Sequence, residues 1–410
     1  MNRASLLHII ERLEGFIGRL PETIQKPVLG ELTPLKELFL QQRPPRLVLT
    51  GSNRFSIPEL VTTLFATPSS PESQDILMEL FRWQSIDLAG LGTISLLDAR
   101  GAHAAKIADV EEELKQQPAD LFLYLTDADR PTAPSTDELE NLSRLHTFNG
   151  ATRQSTRIVG IALHDETRRV QHSLSKNETP LQRQSSARAQ LRNALEEKSA
   201  LREHLLQIFE ITVEPSDVKS TTATSNAQAF MSLLARQLPN EARVEMVRIA
   251  RDRSAQIEIA QMLVKSTTAI CAAIGAQPIP LADLPILTTL QLVMVSGIMY
   301  ISGRERSLRA ATEFIAAMGV NVGAGMVFRE GARALLKFFP GWGNVVCGMV
   351  AGAGTYAVGR AAIVYFLEGL SLKEARRTYL SSRKRRTRNE QARLSQTVSH
   401  SPEHSDRLAK

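Results

Sequence analysis

Residues Arg46 to Leu64 read RLVLTGSNRFSIPELVTTL, an apolar run, a Gly turn and then a helical pattern. That is the layout of a phosphate-binding loop, strand–GxxxxGK[ST]–helix, whose backbone N–H groups cradle an anion. In such a loop the Lys neutralises the outer phosphates and the hydroxyl holds Mg²⁺. Aligned on Gly51, this chain has Ser56 for the second Gly, Ile57 for the Lys and Pro58 for the Ser/Thr. Ile57 carries no charge, and Pro58 has neither a hydroxyl nor a backbone N–H. Gly51 remains as the residue that frees φ in a tight turn. Ser52 and Arg54 remain as groups that could face a phosphate at the helix N-terminus, where the backbone dipole favours anions. Pro58 is tolerated in the first helical turn, so the helix itself is not broken.

Four carboxylates follow three apolar runs. Thr93–Gly101 reads TISLLDARG and ends in Asp98-Ala-Arg-Gly101; Leu121–Thr126 leads into Asp127-Ala-Asp129-Arg130; Ile158–Ala162 leads into Leu163-His164-Asp165. Two readings stand for Asp98 and Asp165. They are solvated carboxylates where strands give way to loops, or they contact a nucleotide.

The elements that would position these residues alternate in type. Leu47–Thr50, Thr93–Leu97, Leu121–Leu125, Ile158–Ala162 and Ile208–Val213 read as strands; Ile107–Gln116 and Ser185–Leu206 read as helices between them. Continuous apolar strands alternating with helices predict a mostly parallel sheet covered on both faces, and right-handed crossovers make it a doubly wound α/β domain.

Across residues 45–215 this order of motifs resembles the Era-like branch of the Ras-type P-loop GTPases. The resemblance implies that Asp98 reaches Mg²⁺ through water, that the Gly101 amide senses the γ-phosphate, and that Asp165 pairs with guanine. The Asn-Lys-x-Asp positions read Ala162-Leu163-His164-Asp165, so only the Asp is kept.

Beyond a polar linker at 217–227 the pattern is helix after helix to Tyr379, with breaks at Gly275–Pro280, Gly303 and Phe339–Gly343. Pro278-Ile-Pro-Leu-Ala-Asp283, Lys337-Phe-Phe-Pro-Gly-Trp-Gly343 and Thr355-Tyr-Ala-Val-Gly359 resemble the helical domain-of-unknown-function family 697 that follows Era-like domains in bacteria. That resemblance implies a membrane association and no defined reaction. The stretch 281–301 supplies roughly −5 kcal/mol toward insertion, from which Gln291 removes about 2. In 345–367, Arg360 costs up to about 3 kcal/mol, while Gly352, Gly354 and Gly359 favour close helix packing. A tight soluble bundle and a membrane-inserted hairpin both satisfy this arithmetic.

Composition bounds the rest. The chain has 410 residues, 43% apolar and 22% charged, with net charge +6. These values suit a globular chain of two or three domains. Arg383, Lys384, Arg385, Arg386 and Arg388 form a basic cluster after the apolar helices, which favours anionic lipid as partner over a plain solvated tail. Aromatics are 5%, without an aromatic-interleaved basic motif, so nucleic acid is not expected. Cys271 and Cys347 read as two buried thiols in a reducing compartment. The N-terminal segment, with Leu6, Leu7, Ile10, Leu13 and Ile17 at helical spacing, reads as an amphipathic helix rather than a secretory leader.

The expected organisation is N-terminal helices and linker (1–44), a degenerate GTPase-like domain (45–216), a linker (217–227), an all-α domain (228–380) and a basic tail (381–410). The expected function is a non-hydrolysing GTPase-like protein that binds or scaffolds at the cytoplasmic face of a bacterial inner membrane, with no catalytic residue, no metal and no resident cofactor. The alternative is a weak GTPase in which Arg54 and a nearby Thr replace the lost groups and GTP binds with Mg²⁺. Protein partners are not named by the sequence.

Overall fold

The structure, a computed structural model, describes residues 22–66, 80–129, 134–152, 156–165, 180–213, 225–276, 283–318 and 343–382, together with Gly15 and Gly18. Most of the expected N-terminal amphipathic helix, the basic cluster Arg383–Arg388, Trp342 and the Pro278 and Lys337 motif segments lie outside the described residues. Two compact units emerge. One comprises Gln42–Asp252; the other joins Met1–Gln41 to Arg253–Lys410. Helix α1 (Glu22–Leu35) belongs to the second.

The unit Gln42–Asp252 is built on a six-stranded sheet. Its strands are β1 (Arg46–Gly51), β2 (Trp83–Asp87), β3 (Thr93–Asp98), β4 (Leu121–Asp127), β5 (Arg157–Asp165) and β6 (Leu205–Val213), in the spatial order β2-β3-β1-β4-β5-β6. Only the β2–β3 pair is antiparallel. The expected doubly wound sheet is therefore present. β1 and β5 are buried along almost their whole length, as strands covered on both faces must be. The sequence reading lacked β2, an edge strand with a single aliphatic residue, Ile86. It also lacked α4 (Thr136–Thr152), whose Leu139, Leu142 and Leu145 share one core with Ile107, Val110 and Leu114 of α3 (Ala104–Gln116). The expected helix Ser185–Leu206 ends earlier, as α5 (Pro180–Glu197) and the single turn α6 (Ser199–Arg202), because Leu205 already pairs with Ile158 in β6.

Helix α2 (Ile57–Phe65) follows the Gly51 turn. Ile57, Leu60, Val61, Leu64 and Phe65 are buried, the i, i+3, i+4 spacing of a core-facing stripe. Most of the expected linker 217–227 lies outside the described residues, and the two compact units divide at Asp252 and Arg253. Helices α7 (Ser225–Gln237) and α8 (Asn240–Ala250) pack with the sheet rather than with the later helices. Phe230 of α7 lies 6.4 Å from the Phe65 ring and 5.7 Å from the Phe209 ring. Glu245 of α8 is buried and accepts from the Thr93 N–H at 3.0 Å and from Gln42 Nε2 at 2.8 Å. Gly92 leaves room for that carboxylate, since a Cβ there would lie 2.6 Å from its oxygen. At the same edge Arg43 clasps Asp120 with two 2.6 Å bonds.

The other unit is helical: α1, a π-helical turn Lys36–Leu40, α9 (Arg253–Gly275), α10 (Asp283–Ile301), α11 (Leu308–Ala317), α12 (Gly343–Ala362), a π-helical turn Ile363–Leu367 and a helix α13 over 372–382. Helices α9 and α12 run antiparallel, because Gly275 meets Ala351 while Val264 meets Gly359. Their approach needs glycine: a Cβ on Gly348 would lie 2.6 Å from the Ala272 carbonyl oxygen. Two polar pairs lie inside the bundle. Gln291 Nε2 donates to Thr355 Oγ1 at 3.0 Å, and Ser266 Oγ donates to Glu31 at 2.7 Å. Cys271 is buried as expected, but Cys347 is exposed near the start of α12.

Among the described residues, two helices are long and apolar enough to cross a membrane. They are Arg253–Gly275, 23 residues with mean hydropathy 1.4, and Cys347–Leu367, 21 residues with mean hydropathy 1.3. The second matches the expected stretch 345–367. The first was missed, because Lys265, Ser266, Thr267 and Thr268 interrupt its apolar pattern. The apolar part of α10, Ile286–Ile301, is shorter than the roughly 20 residues a crossing needs.

Candidate functional site

Strands β1, β3, β4 and β5 are mutually parallel, so their C-terminal ends share one edge of the sheet. Ligands of open α/β sheets bind outside that edge. Here it carries Gly51, Asp98, Asp127 and Asp165 as the last residues of the four strands. The sequence-predicted Gly51, Ser52, Arg54, Asp98 and Asp165 all fall at this edge or in the turn above it, with Gly101 in the loop after β3.

Gly51 has φ +84°, and any Cβ there would run into the Leu125 carbonyl. The turn therefore requires glycine for both backbone conformation and space. The next amide, Ser52 N–H, donates to the Leu125 oxygen at 2.9 Å and so faces the sheet. Gly101 has φ +67° and is exposed.

The start of α2, where an anion would sit, is occupied by the helix's own cap. Ser56 Oγ accepts from the Glu59 N–H at 3.4 Å. The Glu59 carboxylate accepts from the Ser56 N–H at 2.9 Å and from Ser56 Oγ at 2.8 Å. This reciprocal capping box satisfies two donors, the Glu59 N–H with the Ser56 hydroxyl and the Ser56 N–H with the Glu59 carboxylate. The Ser-x-x-Glu spacing was visible in the sequence but was not read. With Pro58 contributing no N–H, the first turn offers an incoming phosphate a negative charge in place of a cradle.

Asp98 is 7% exposed and is closed off by Arg100, itself 6% exposed. Arg100 Nε donates to Asp98 Oδ1 at 2.7 Å, Nη2 donates to Oδ2 at 2.8 Å, and the Arg100 backbone N–H donates to Oδ1 at 3.1 Å. Arg100 Nη1 then donates to the Phe55 carbonyl at 2.7 Å, tying the β3 loop to the phosphate-loop position. The carboxylate that the GTPase resemblance would turn toward Mg²⁺ thus has a guanidinium on both oxygens.

Arg54 does the same for the other carboxylates. Its Nη1 donates to Asp127 Oδ2 at 2.5 Å and its Nη2 donates to Asp165 Oδ2 at 2.7 Å, while Asp129 Oδ2 lies 3.8 Å from Nη1. Its side chain is 17% exposed. Burial alone would lower the Arg54 pKa; the bond to Asp127 and the charges of Asp127, Asp165 and Asp129 outweigh it and raise it. Burial would likewise raise the Asp129 pKa. The bonds from His164 Nδ1 at 3.2 Å and the Asp165 N–H at 2.6 Å, with the charges of His164 and Arg54, hold it below the usual carboxylate range instead. Asp165, expected as the guanine acceptor, is here a partner of Arg54. The sequence reading singled out Arg54, quoted Asp127 and Asp129 without a role, and gave none to Arg100. It could not see that the two arginines fold back onto the carboxylates, because those pairings span up to 111 positions.

Among the described residues, Arg54 faces three carboxylates, one of which, Asp129, is also bonded by His164. A nucleotide triphosphate brings several more negative charges and needs a surplus of cations there.

No protein-family profile matches the chain. A curated relative is Magnetosome membrane protein 22 of Magnetospirillum gryphiswaldense, 30% identical over 118 residues, which are 27% of this chain and 59% of that protein. The chain thus spans about three fifths of that relative's length. Two solved structures are similar at low score. One is the ADP-ribosylation-factor-like small COPII coat GTPase SAR1 of Encephalitozoon cuniculi in complex with GDP, at 14% identity and TM-score 0.27, covering 61% of this chain and 99% of that one. The other is an oligomerised bacterial dynamin pair described as sensing and tethering membranes, at 10% identity and TM-score 0.31, covering 97% of this chain and 74% of that one.

Proposed function

We propose that this chain is a pseudo-GTPase: a GTPase-like domain that neither binds nor hydrolyses GTP, joined to a helical unit, acting as a binding or scaffold protein at the cytoplasmic face of a bacterial inner membrane. The observation that carries the first half is the internal pairing of Arg54 with Asp127 and Asp165 and of Arg100 with Asp98. Phosphoryl transfer relies almost wholly on positioned cations and Mg²⁺. Here the loop cation is absent at Ile57, the Mg²⁺ hydroxyl is absent at Pro58, and the described cations Arg54 and Arg100 are held by the protein's own carboxylates. The weak-GTPase alternative assigns Arg54 to the phosphates, yet that guanidinium would first have to leave two carboxylates. No cofactor is needed in this account.

The membrane half draws support from two helices of spanning length, from the basic cluster Arg383–Arg388 and from a relative named as a membrane protein. Kinship with the Era-like branch and with helical family 697 belongs to the same proposal.

Single-turnover assays with GTP and Mg²⁺ test the enzymatic half. The expected rate equals the enzyme-free background; a rate above background that disappears in Asp98→Ala contradicts it. Membrane fractionation tests the other half. Recovery with the membrane fraction at physiological salt is expected, and full recovery in the soluble fraction contradicts it.

A further inference from the structure

We propose that one end of the helical unit, extended by helix α13, is a docking surface for an anionic lipid bilayer. This rests on the membrane reading above and names the surface and the lipid class. Three chain segments meet at that end. Gly369, after the π-helical turn, lies against Arg253 at the start of α9. Arg304, just after α10, stacks over Phe366 at 5.0 Å and Tyr365 at 5.9 Å. Arg306 stacks over Tyr300 at 4.2 Å. Two apolar helices thus finish in aromatic rings and guanidiniums, the composition of a membrane–water interface.

Helix α13 leaves from this end with two unlike faces. Ala375 and Tyr379 are buried, whereas Leu372, Arg376 and Leu380 recur at four-residue spacing on an exposed face, flanked by Lys373 and Arg377. Large exposed hydrophobics are few among the described residues, and three of the five fall at Leu370, Leu372 and Leu380. Leu372 is 42% exposed and Leu380 54%. Scattered exposed leucines mean little, but leucines interleaved with cations on one short helix are the pattern of a segment lying in a headgroup layer. In the sequence, the basic run Arg383–Arg388 follows directly. A nucleic acid would satisfy the arginines but gives the leucines nothing to enter, so the bilayer fits both halves of the pattern.

The test uses the full chain and vesicles of phosphatidylcholine alone or with phosphatidylglycerol. Cosedimentation is measured for the wild type, for Leu372→Ser/Leu380→Ser and for Arg376→Glu/Arg377→Glu, with thermal melts to show that each variant is folded. The expected result is preference for the phosphatidylglycerol vesicles, salt-sensitive, and weakened roughly tenfold in each folded variant. Wild-type binding that is equal on both vesicles, folded variants that bind like the wild type, or tighter binding to a duplex oligonucleotide than to vesicles each overturn the proposal. A chain that fractionates with membranes while both variants behave as wild type retains the membrane reading and loses this docking surface. A wild type that binds no vesicle and is fully soluble in cells loses both.

Discussion

Arg100 and Asp98, two residues apart, close on each other inside the protein, with both carboxylate oxygens bonded by one guanidinium at 2.7 and 2.8 Å. Because the pair is almost wholly buried, it has little access to water and none of the freedom a Mg²⁺ ligand needs. It also fixes the loop above, through the Arg100 bond to the Phe55 carbonyl.

Breaking one side of such a pair leaves a bare buried charge. Arg100→Met is expected to cost about 3–5 kcal/mol, and adding Asp98→Asn to recover most of that loss. Urea denaturation of the two variants, compared at constant m-value, measures it. A double variant as unstable as the single one argues against the pair.

The Arg54 bridge should show as coupling. In a cycle of Arg54→Ala, Asp127→Asn and the double variant, a coupling energy of roughly 1–3 kcal/mol is expected, since both side chains are mostly buried. Strict additivity would mean that the guanidinium does not sit on Asp127 in solution.

Helix α2 is held by its capping box, so Ser56→Ala is expected to lower stability by about 1 kcal/mol. The check is the thermal midpoint of the variant against that of the wild type. An unchanged midpoint would mean that the cap is not formed.

Asp129 carries a pH signature. Its folded-state pKa is depressed, so its ionised form stabilises the fold at any pH above the ordinary carboxylate value near 3.9, and this stabilisation is lost as pH falls through the folded pKa. Asp129→Asn should therefore destabilise at neutral pH, and its deficit should shrink steadily as the acid limb is entered. A deficit that stays constant down through that limb would separate Asp129 from the network.

Much of the fold was legible in the sequence because buried parallel strands are continuous apolar runs, and β1, β3, β4 and β5 have that character. The edge strand Trp83–Asp87 was not, since its apolar content is low and a polar residue, Gln84, takes one of its two buried positions. The affiliation of α7 and α8 was not legible either: it depends on Phe230 and Glu245 reaching residues far away in sequence. At the site, the loss of Lys and Ser/Thr could be read from Ile57 and Pro58 alone. The closing of the remaining carboxylates by Arg54 and Arg100 is a three-dimensional fact, the Arg54–Asp165 ion pair included.

Equilibrium titration of the full chain with GTP in the presence of Mg²⁺, followed by calorimetry, tests the central claim most directly. The account predicts no saturable binding up to about 1 mM nucleotide, the range in which a loop lacking its cation, its hydroxyl and its free carboxylates has nothing left to offer. Saturable binding in the micromolar range that requires Mg²⁺ and is weakened by Asp98→Ala would contradict it.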